Sequence, residues 1–172
     1  MSCSNITQGF ILDCNSGNAG IEKVFIANGP VEGITAAAGV VSDIVVGGSS
    51  LTPSDFFTFE LPRQTGNFTE SYNVDQTTGT SVFNQDLSLV FNRLSAEKRN
   101  QLLLMAQATS MVIVFKTNEN LYFTVGLERG AFMTSGSTLT GTSYTDRAGY
   151  EITLSGIEAS PAYEIVSSIV EA

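Results

Sequence analysis

VFNQDLSLVF, residues 82–91, decides the fold class. Phe83, Leu87, Leu89 and Phe91 fall on one face of an extended chain, and Asn84, Asp86 and Ser88 fall on the other. A period of two marks a half-buried β-strand. Leu94-Ser95-Ala96-Glu97 follows directly. A Ser hydroxyl can cap the free N–H groups of a first helical turn, and a carboxylate there is favoured by the helix dipole. The spacing therefore predicts a helix from Ala96 to about Ala108. Its core-facing stripe is expected at Leu102, Met105, Ala106 and Thr109, with Lys98 and Arg99 on the exposed start.

Working outward, Met111–Lys116 and Leu121–Leu127 read as a hairpin across Thr117-Asn118-Glu119-Asn120. Ala131–Thr134 leads into the Ser/Thr/Gly segment Ser135–Ser143. Tyr150–Ile157 is another strand, with Tyr150, Ile152 and Leu154 on one face, and Tyr163–Val170 is either a last strand or a tail. Upstream, Ile21–Asn28 (IEKVFIAN) is rich in β-branched and aromatic residues. The turn cluster Asn15–Gly20 precedes it and Gly29-Pro30 closes it. Val31–Arg63 holds short apolar runs between Gly33, Gly39, Gly47, Gly48 and Pro53, with no helical period. It reads as a long hairpin with a wide, flexible tip near Gly47–Ser54. Many short strands and one helix predict a mainly β protein: an antiparallel β-sandwich or barrel with one flanking α-helix and a long hairpin arm. Residues 1–172 form a single domain in this reading, with residues 30–70 as the arm. No fixed-period repeat is present, which excludes a solenoid or propeller.

Composition narrows the function classes. The 172 residues carry 8 Lys+Arg against 17 Asp+Glu, a net charge of −9, with 37 Ser and Thr and 16 Gly. An acidic chain gains nothing from counterion release on phosphates, so ordinary nucleic-acid binding is excluded. With no His, a Ser-His-Asp triad, a Cys-His pair and a His-based metal site cannot be built within one chain. Hydrophobic content of 42% and 11 Phe argue against disorder. Cys3 and Cys14 are too few for a disulfide framework and read as free thiols. Met1–Phe10 lacks the positive and apolar regions of a secretory signal, and no apolar run is long enough for a membrane helix.

Chemistry-bearing patterns are sparse. Asp43, Asp55, Glu60, Glu70, Asp75 and Asp86 could supply a carboxylate pair for glycoside hydrolysis, but the chain has no Trp platform and they read as solvated acids. Gly47-Gly48-Ser49-Ser50 lacks the Lys and the following helix of a phosphate loop. Arg93, Lys98 and Arg99 cluster at the helix start, as a solvated face or as partners for acids of a neighbouring subunit. Ser135–Ser143 contains no base to activate a nucleophile. The expectation is no catalytic residue, no cofactor and no metal. The uncharged run Thr35–Ser42 (TAAAGVVS) is poorly suited to a solvated loop, and a partner subunit is one candidate to cover it.

Three stretches carry a resemblance: CSNITQGFILDCNSGNAGIEKVFIAN near the start, QTGNFTESYNVDQTTGTSVFNQDLSLVFNRLSAEKRNQL in the middle, and SYTDRAGYEITLSGIEASPAYEI near the end. In plan and texture the chain resembles the tail tube proteins of tailed bacteriophages and related injection-system tube proteins. The resemblance implies a β protomer that forms six-fold rings, which stack into a tube. DNA passes through the lumen, past a negative wall to which phosphates do not adhere. It implies a virion tail protein made in the host cytoplasm. Its partners are itself and other tail or head–tail connector proteins, with no membrane. The arm residues Ile34, Val40, Val41, Ile44, Val45, Phe56 and Phe57 are then the expected subunit interface. The alternatives are another phage virion component, such as a capsid decoration or head–tail connector protein, or a β-barrel ligand-binding module.

Overall fold

The computed structural model describes residues 8–10 and 17–171; Cys3, Cys14 and the start of the Asn15–Gly20 cluster lie outside them. The protein is mainly β, with one helix. Its centre is an antiparallel pair, β1 (Ile21–Asn28) and β8 (Met111–Thr117), registered Val24 to Phe115 and Phe25 to Val114. Both faces of this pair are buried. Val24, Ile26, Met111, Ile113 and Phe115 join one apolar cluster, while Phe25, Ala27, Val112 and Val114 join a second on the opposite face. This is why VFIA and MVIVF read as continuous apolar runs rather than alternating ones.

The first cluster is completed by β7 (Thr80–Asn92) and β11 (Gly149–Glu158), through Leu87, Leu89, Ile152 and Leu154. These two strands pair antiparallel from Phe83–Glu158 to Asn92–Gly149. Gly149 sits where an added Cβ would lie 2.0 Å from the Phe91 carbonyl oxygen, so the close approach of the two backbones requires glycine there. The second cluster is closed by β3 (Val40–Val46) and by the C-terminal residues Ile165, Ile169 and Val170. Tyr163–Val170 is therefore core rather than tail: β12 (Glu164–Ile165) pairs parallel with β3, and a 3₁₀ turn at Ser167–Ile169 follows.

The sheet runs β2 (Val31–Ala37), β3, β12, β9 (Tyr122–Val125), β8, β10 (Ala131–Leu139), β11, β7, β6 (Asn67–Asp75). It is mixed and not closed. β1 branches from β8 and carries β5 (Phe57–Glu60) on its other edge, and β4 (Ser49–Ser50) hangs on β3.

The arm expected over residues 30–70 takes a different form. β2 and β3 make a tight hairpin whose turn residues Ala38 and Gly39 have φ of 53° and 84°. Gly47 and Gly48, at 60° and 78°, make a second tight turn into β4 rather than a wide flexible tip. Paired positive φ angles match the right-handed twist of a hairpin, and glycine adopts them without strain. Pro53–Asp55 is a 3₁₀ turn held by the Asp55 carboxylate, which accepts from the Thr52 N–H at 2.8 Å and the Thr52 hydroxyl at 2.7 Å. β5 then returns to β1, and β6 pairs with β7 instead. The stretch thus divides among three separate partners.

The helix α1 spans Ala96–Gln107, and the Ser95 hydroxyl accepts from the Lys98 N–H at 3.2 Å. Its core face is narrower than the predicted stripe. Met105 is buried and Leu102 half-buried, but Ala106 and Thr109 are exposed. Leu103 and Leu104 also face outward, at 47% and 58% exposure.

Candidate functional site

The side chains expected at a subunit interface divide between the protomer's core and its surface. Val41 and Ile44 are fully buried and Phe56 nearly so, all in the second cluster against β1 and β8. This is a correction: their apolar surface is already used within the protomer. Ile34, Val40 and Val45 are half-buried, and Phe57, on β5, is 60% exposed.

The projecting element is the β6–β7 ribbon. The two strands pair from Asn67–Ser88 out to Asp75–Thr80, but β11 covers β7 only from Phe83 onward. Ser71 to Ser81 is exposed throughout. Alternation places Phe68, Glu70, Tyr72 and Val74 on one row of β6. Asn67, Thr69, Ser71, Asn73 and Asp75 occupy the other. The apolar row begins in the core, where the Phe68 ring lies 4.7 Å from that of Phe115. It then runs beyond the body. Tyr72 stands edge-on to Phe83 at 5.1 Å and is 62% exposed, and Val74 is 66% exposed.

The ribbon's base is anchored by a polar network. Gln85 faces inward between Phe83 and Leu87 and is buried. Its Oε1 accepts from the Gly126 N–H at 3.0 Å, and its Nε2 donates to Glu70 at 2.9 Å. The same Glu70 oxygen accepts from the Ala162 N–H at 2.8 Å. At the tip, the Asp75 carboxylate accepts from the Thr77 N–H at 2.8 Å. Hydrogen bonds from Thr77 and Thr78 hold that carboxyl below the usual range, so it is ionised at neutral pH.

At the other end of β7 a groove of about 560 Å³ runs between β5 and α1. Phe59, Leu61, Pro62, Phe91, Leu102 and Met105 form its apolar walls, with the Phe59 and Phe91 rings 6.0 Å apart. Glu60, Glu97, Lys98 and Gln101 line its mouth. The Lys98 ammonium donates to the carbonyls of Asn92 and Arg93. Arg63 and Arg93 directly follow the lining residues Pro62 and Asn92, and Arg99 follows Lys98. Of these cations only Lys98 lines the groove; Arg99 lines a separate pocket with Leu103, Met133 and Tyr150. None of these four forms an ion pair among the described residues. Three of the four cations elsewhere differ: Lys116 pairs with Glu22 and Glu171 at 3.5 Å each, Lys23 with Glu171 at 3.9 Å, and Arg147 with Glu151.

Five of the six acids considered for catalysis, all but Glu60, accept hydrogen bonds within the protomer. Asp43 accepts from Ser50, Asp55 from Thr52, Asp86 from Ser155 and Glu70 from Gln85. The Gly48 N–H of the glycine turn donates to the Glu32 carboxylate at 2.7 Å, so the chain's own acid occupies that donor. Glu158 is buried at the end of β11, and its carboxylate accepts from the Glu128 and Arg129 N–H groups at 3.2 and 3.1 Å. Burial pushes its pKa up, while those two hydrogen bonds pull the other way. Among the described residues, no group of three or more His, Cys, Asp or Glu could hold a metal ion. No helix there is long and apolar enough to cross a membrane.

Sequence reasoning missed both the ribbon and the groove. A signal for the ribbon was present in the charges: no Lys or Arg occurs between Arg63 and Arg93. No family model matches this chain, and no curated protein matches it.

Proposed function

We propose that this protein is a non-catalytic structural subunit that self-associates into rings, and that the rings stack into the tube of a phage tail. DNA passes through the lumen without being bound. The observation that carries the reading is the open sheet. Its main path ends on two different strands, β2 (VEGITAA) and β6 (NFTESYNVD), the β1 branch ends on a third, β5 (FTFE), and none of them contains Lys, Arg or Pro. Such residues commonly blunt a free edge, which otherwise offers unpaired N–H and C=O groups to another strand. A copy with two different open edges associates head to tail, and head-to-tail contacts close into rings or continue as filaments. The sandwich arrangement expected for such a subunit is supported by the first cluster, where side chains of β1 and β8 pack on those of β7 and β11.

Negative-stain imaging and light scattering of the purified protein test the reading. Rings or tubes are expected. A uniform monomer at high concentration refutes it and favours a ligand-binding module, for which the groove beside α1 has a suitable volume.

A further inference from the structure

We propose that the aromatic pocket at the base of the β6–β7 ribbon binds a small organic cation bearing an alkylated ammonium group, with Glu70 as its counter-charge. The site lies within one copy of the chain, so the inference goes beyond the self-association proposed above and does not depend on it.

The pocket has a volume of about 530 Å³, and Phe68, Tyr72, Phe115 and Phe123 line it with Pro161. The Phe68 and Phe115 ring centroids lie 4.7 Å apart, and those of Phe115 and Phe123 lie 5.8 Å apart. Strand alternation puts Phe68, Glu70 and Tyr72 on one row of β6, so the carboxylate sits between two of the aromatic positions. Among the described residues Glu70 is the one charged group lining the pocket; no Lys or Arg does so. It is half-buried. Its Oε1 accepts from the Gln85 amide at 2.9 Å and the Ala162 N–H at 2.8 Å, both neutral donors. No cation among the described residues pairs with it. A hydrogen bond to Glu70, and then that group's negative charge, raise the Tyr72 pKa above the ordinary phenol value.

This combination selects the ligand. A partly buried carboxylate without a counter-ion is costly, and a bound cation offsets that cost. Aromatic faces attract the same cation through their quadrupoles, and rings grouped around an alkylammonium are a known way to hold one. A hard metal ion fits worse, because it takes about six or more oxygen ligands. No group of three His, Cys, Asp or Glu stands here or elsewhere among the described residues. A neutral apolar molecule would leave the carboxylate unpaired. A choline head group on a lipid would bring a phosphate, and no lining cation receives it. The occupant is therefore a free cation of choline's chemistry. The net charge of −9 favours its approach.

The test is isothermal titration of the full-length protein with choline chloride at constant ionic strength. Saturable one-site binding is expected. The neutral carbon isostere 3,3-dimethyl-1-butanol should bind at least about 10-fold more weakly, because the charge is what Glu70 recognises. Glu70→Gln keeps an acceptor for Gln85 and Ala162 and removes the charge; it should weaken choline to a similar extent. Tyr72→Leu removes one ring and should weaken it roughly 3–10-fold. Circular dichroism establishes that each variant folds. Tyr72 is 62% exposed, so Tyr72→Leu decides the matter if Glu70→Gln proves unstable. Wild-type protein that shows no saturable choline binding overturns the proposal. So does equal affinity for the isostere, or folded variants that bind choline as the parent does. Co-sedimentation with phosphatidylcholine vesicles in place of binding to free choline overturns it in favour of a lipid head.

Discussion

Gln85→Met separates hydrophobic burial from polar satisfaction at the ribbon's base. Gln85 is 2% exposed among apolar neighbours, and Met preserves the side chain's length. If burial alone set stability, the thioether would be preferred. Against that stand two hydrogen bonds. The Gly126 N–H loses its acceptor at 3.0 Å and remains buried, which costs about 1–3 kcal/mol. Glu70 loses an amide donor at 2.9 Å, and a bond to a charged group contributes about 1.5–3 kcal/mol. Glu70 keeps the Ala162 N–H, which limits the second loss. The apolar gain, with the amide no longer desolvated, returns roughly 1–3 kcal/mol. The net is a loss of about 1–3 kcal/mol, or about 2–12 °C in Tm for a chain of this size. Urea unfolding at a concentration where the protein is monomeric measures it as a lower midpoint with unchanged slope. Hydrogen exchange at Gly126 should quicken in step. A Met variant as stable as the parent would refute the claim that this network, rather than apolar contact, holds the ribbon to the body.

Further expectations can be checked with the same assays. Met105→Ala should cost about 2–5 kcal/mol because the side chain is buried, whereas Leu104→Ala should stay within about 0.5 kcal/mol. Equal effects would mean the helix presents a different face. Gly126→Ala should cost about 2 kcal/mol or more, since φ is +66° and an added Cβ would lie 2.3 Å from the Ala131 nitrogen; a neutral result in thermal denaturation would contradict the turn geometry. Burial raises the Glu158 pKa in the folded protein, so the fold holds that proton more tightly than the unfolded chain does. The site's contribution to stability therefore grows as pH falls towards the ordinary carboxylate range. Glu158→Gln should remove that part of the pH profile, and an unchanged profile would count against it. Glu171 is held low, first by the Tyr122 hydroxyl and then by Lys116 and Lys23. Its stabilisation is present above the ordinary carboxylate pKa and lost as pH falls through the folded value, so Glu171→Gln and the parent should converge in acid.

The strands legible in the sequence are those whose environment one row of residues can report. β7 alternates because one face is core and the other solvent, although Gln85 broke the apolar row and went unread. β1 and β8 were recognisable as strands from their β-branched runs, but their burial on both faces comes from long-range packing. The arm was misread because Gly47-Gly48 signals a turn without saying how tight. Only the pairing of Val46 with Ser49 shows that the chain reverses there in two residues. Similarly, Val41 and Ile44 looked free because their partners, Val112, Ile165 and Val170, lie far along the chain. The ribbon and the groove escaped notice because each is defined by what does not cover it, and a linear pattern does not carry that information.

The central pair β1–β8 helps explain why those surfaces stay open. A strand pair buried on both faces needs two covers. Here β7 and β11 supply one, and β3 with the C-terminal residues supplies the other. Those elements are then fully committed inward. What lies beyond them, the outer half of β6–β7 and the outward face of α1, has no further layer among the described residues. Yet these outer parts are not uniformly polar: Tyr72, Val74, Leu103 and Leu104 remain exposed there. Exposed apolar residues on ordered strands and helices are a hazard unless a partner takes them.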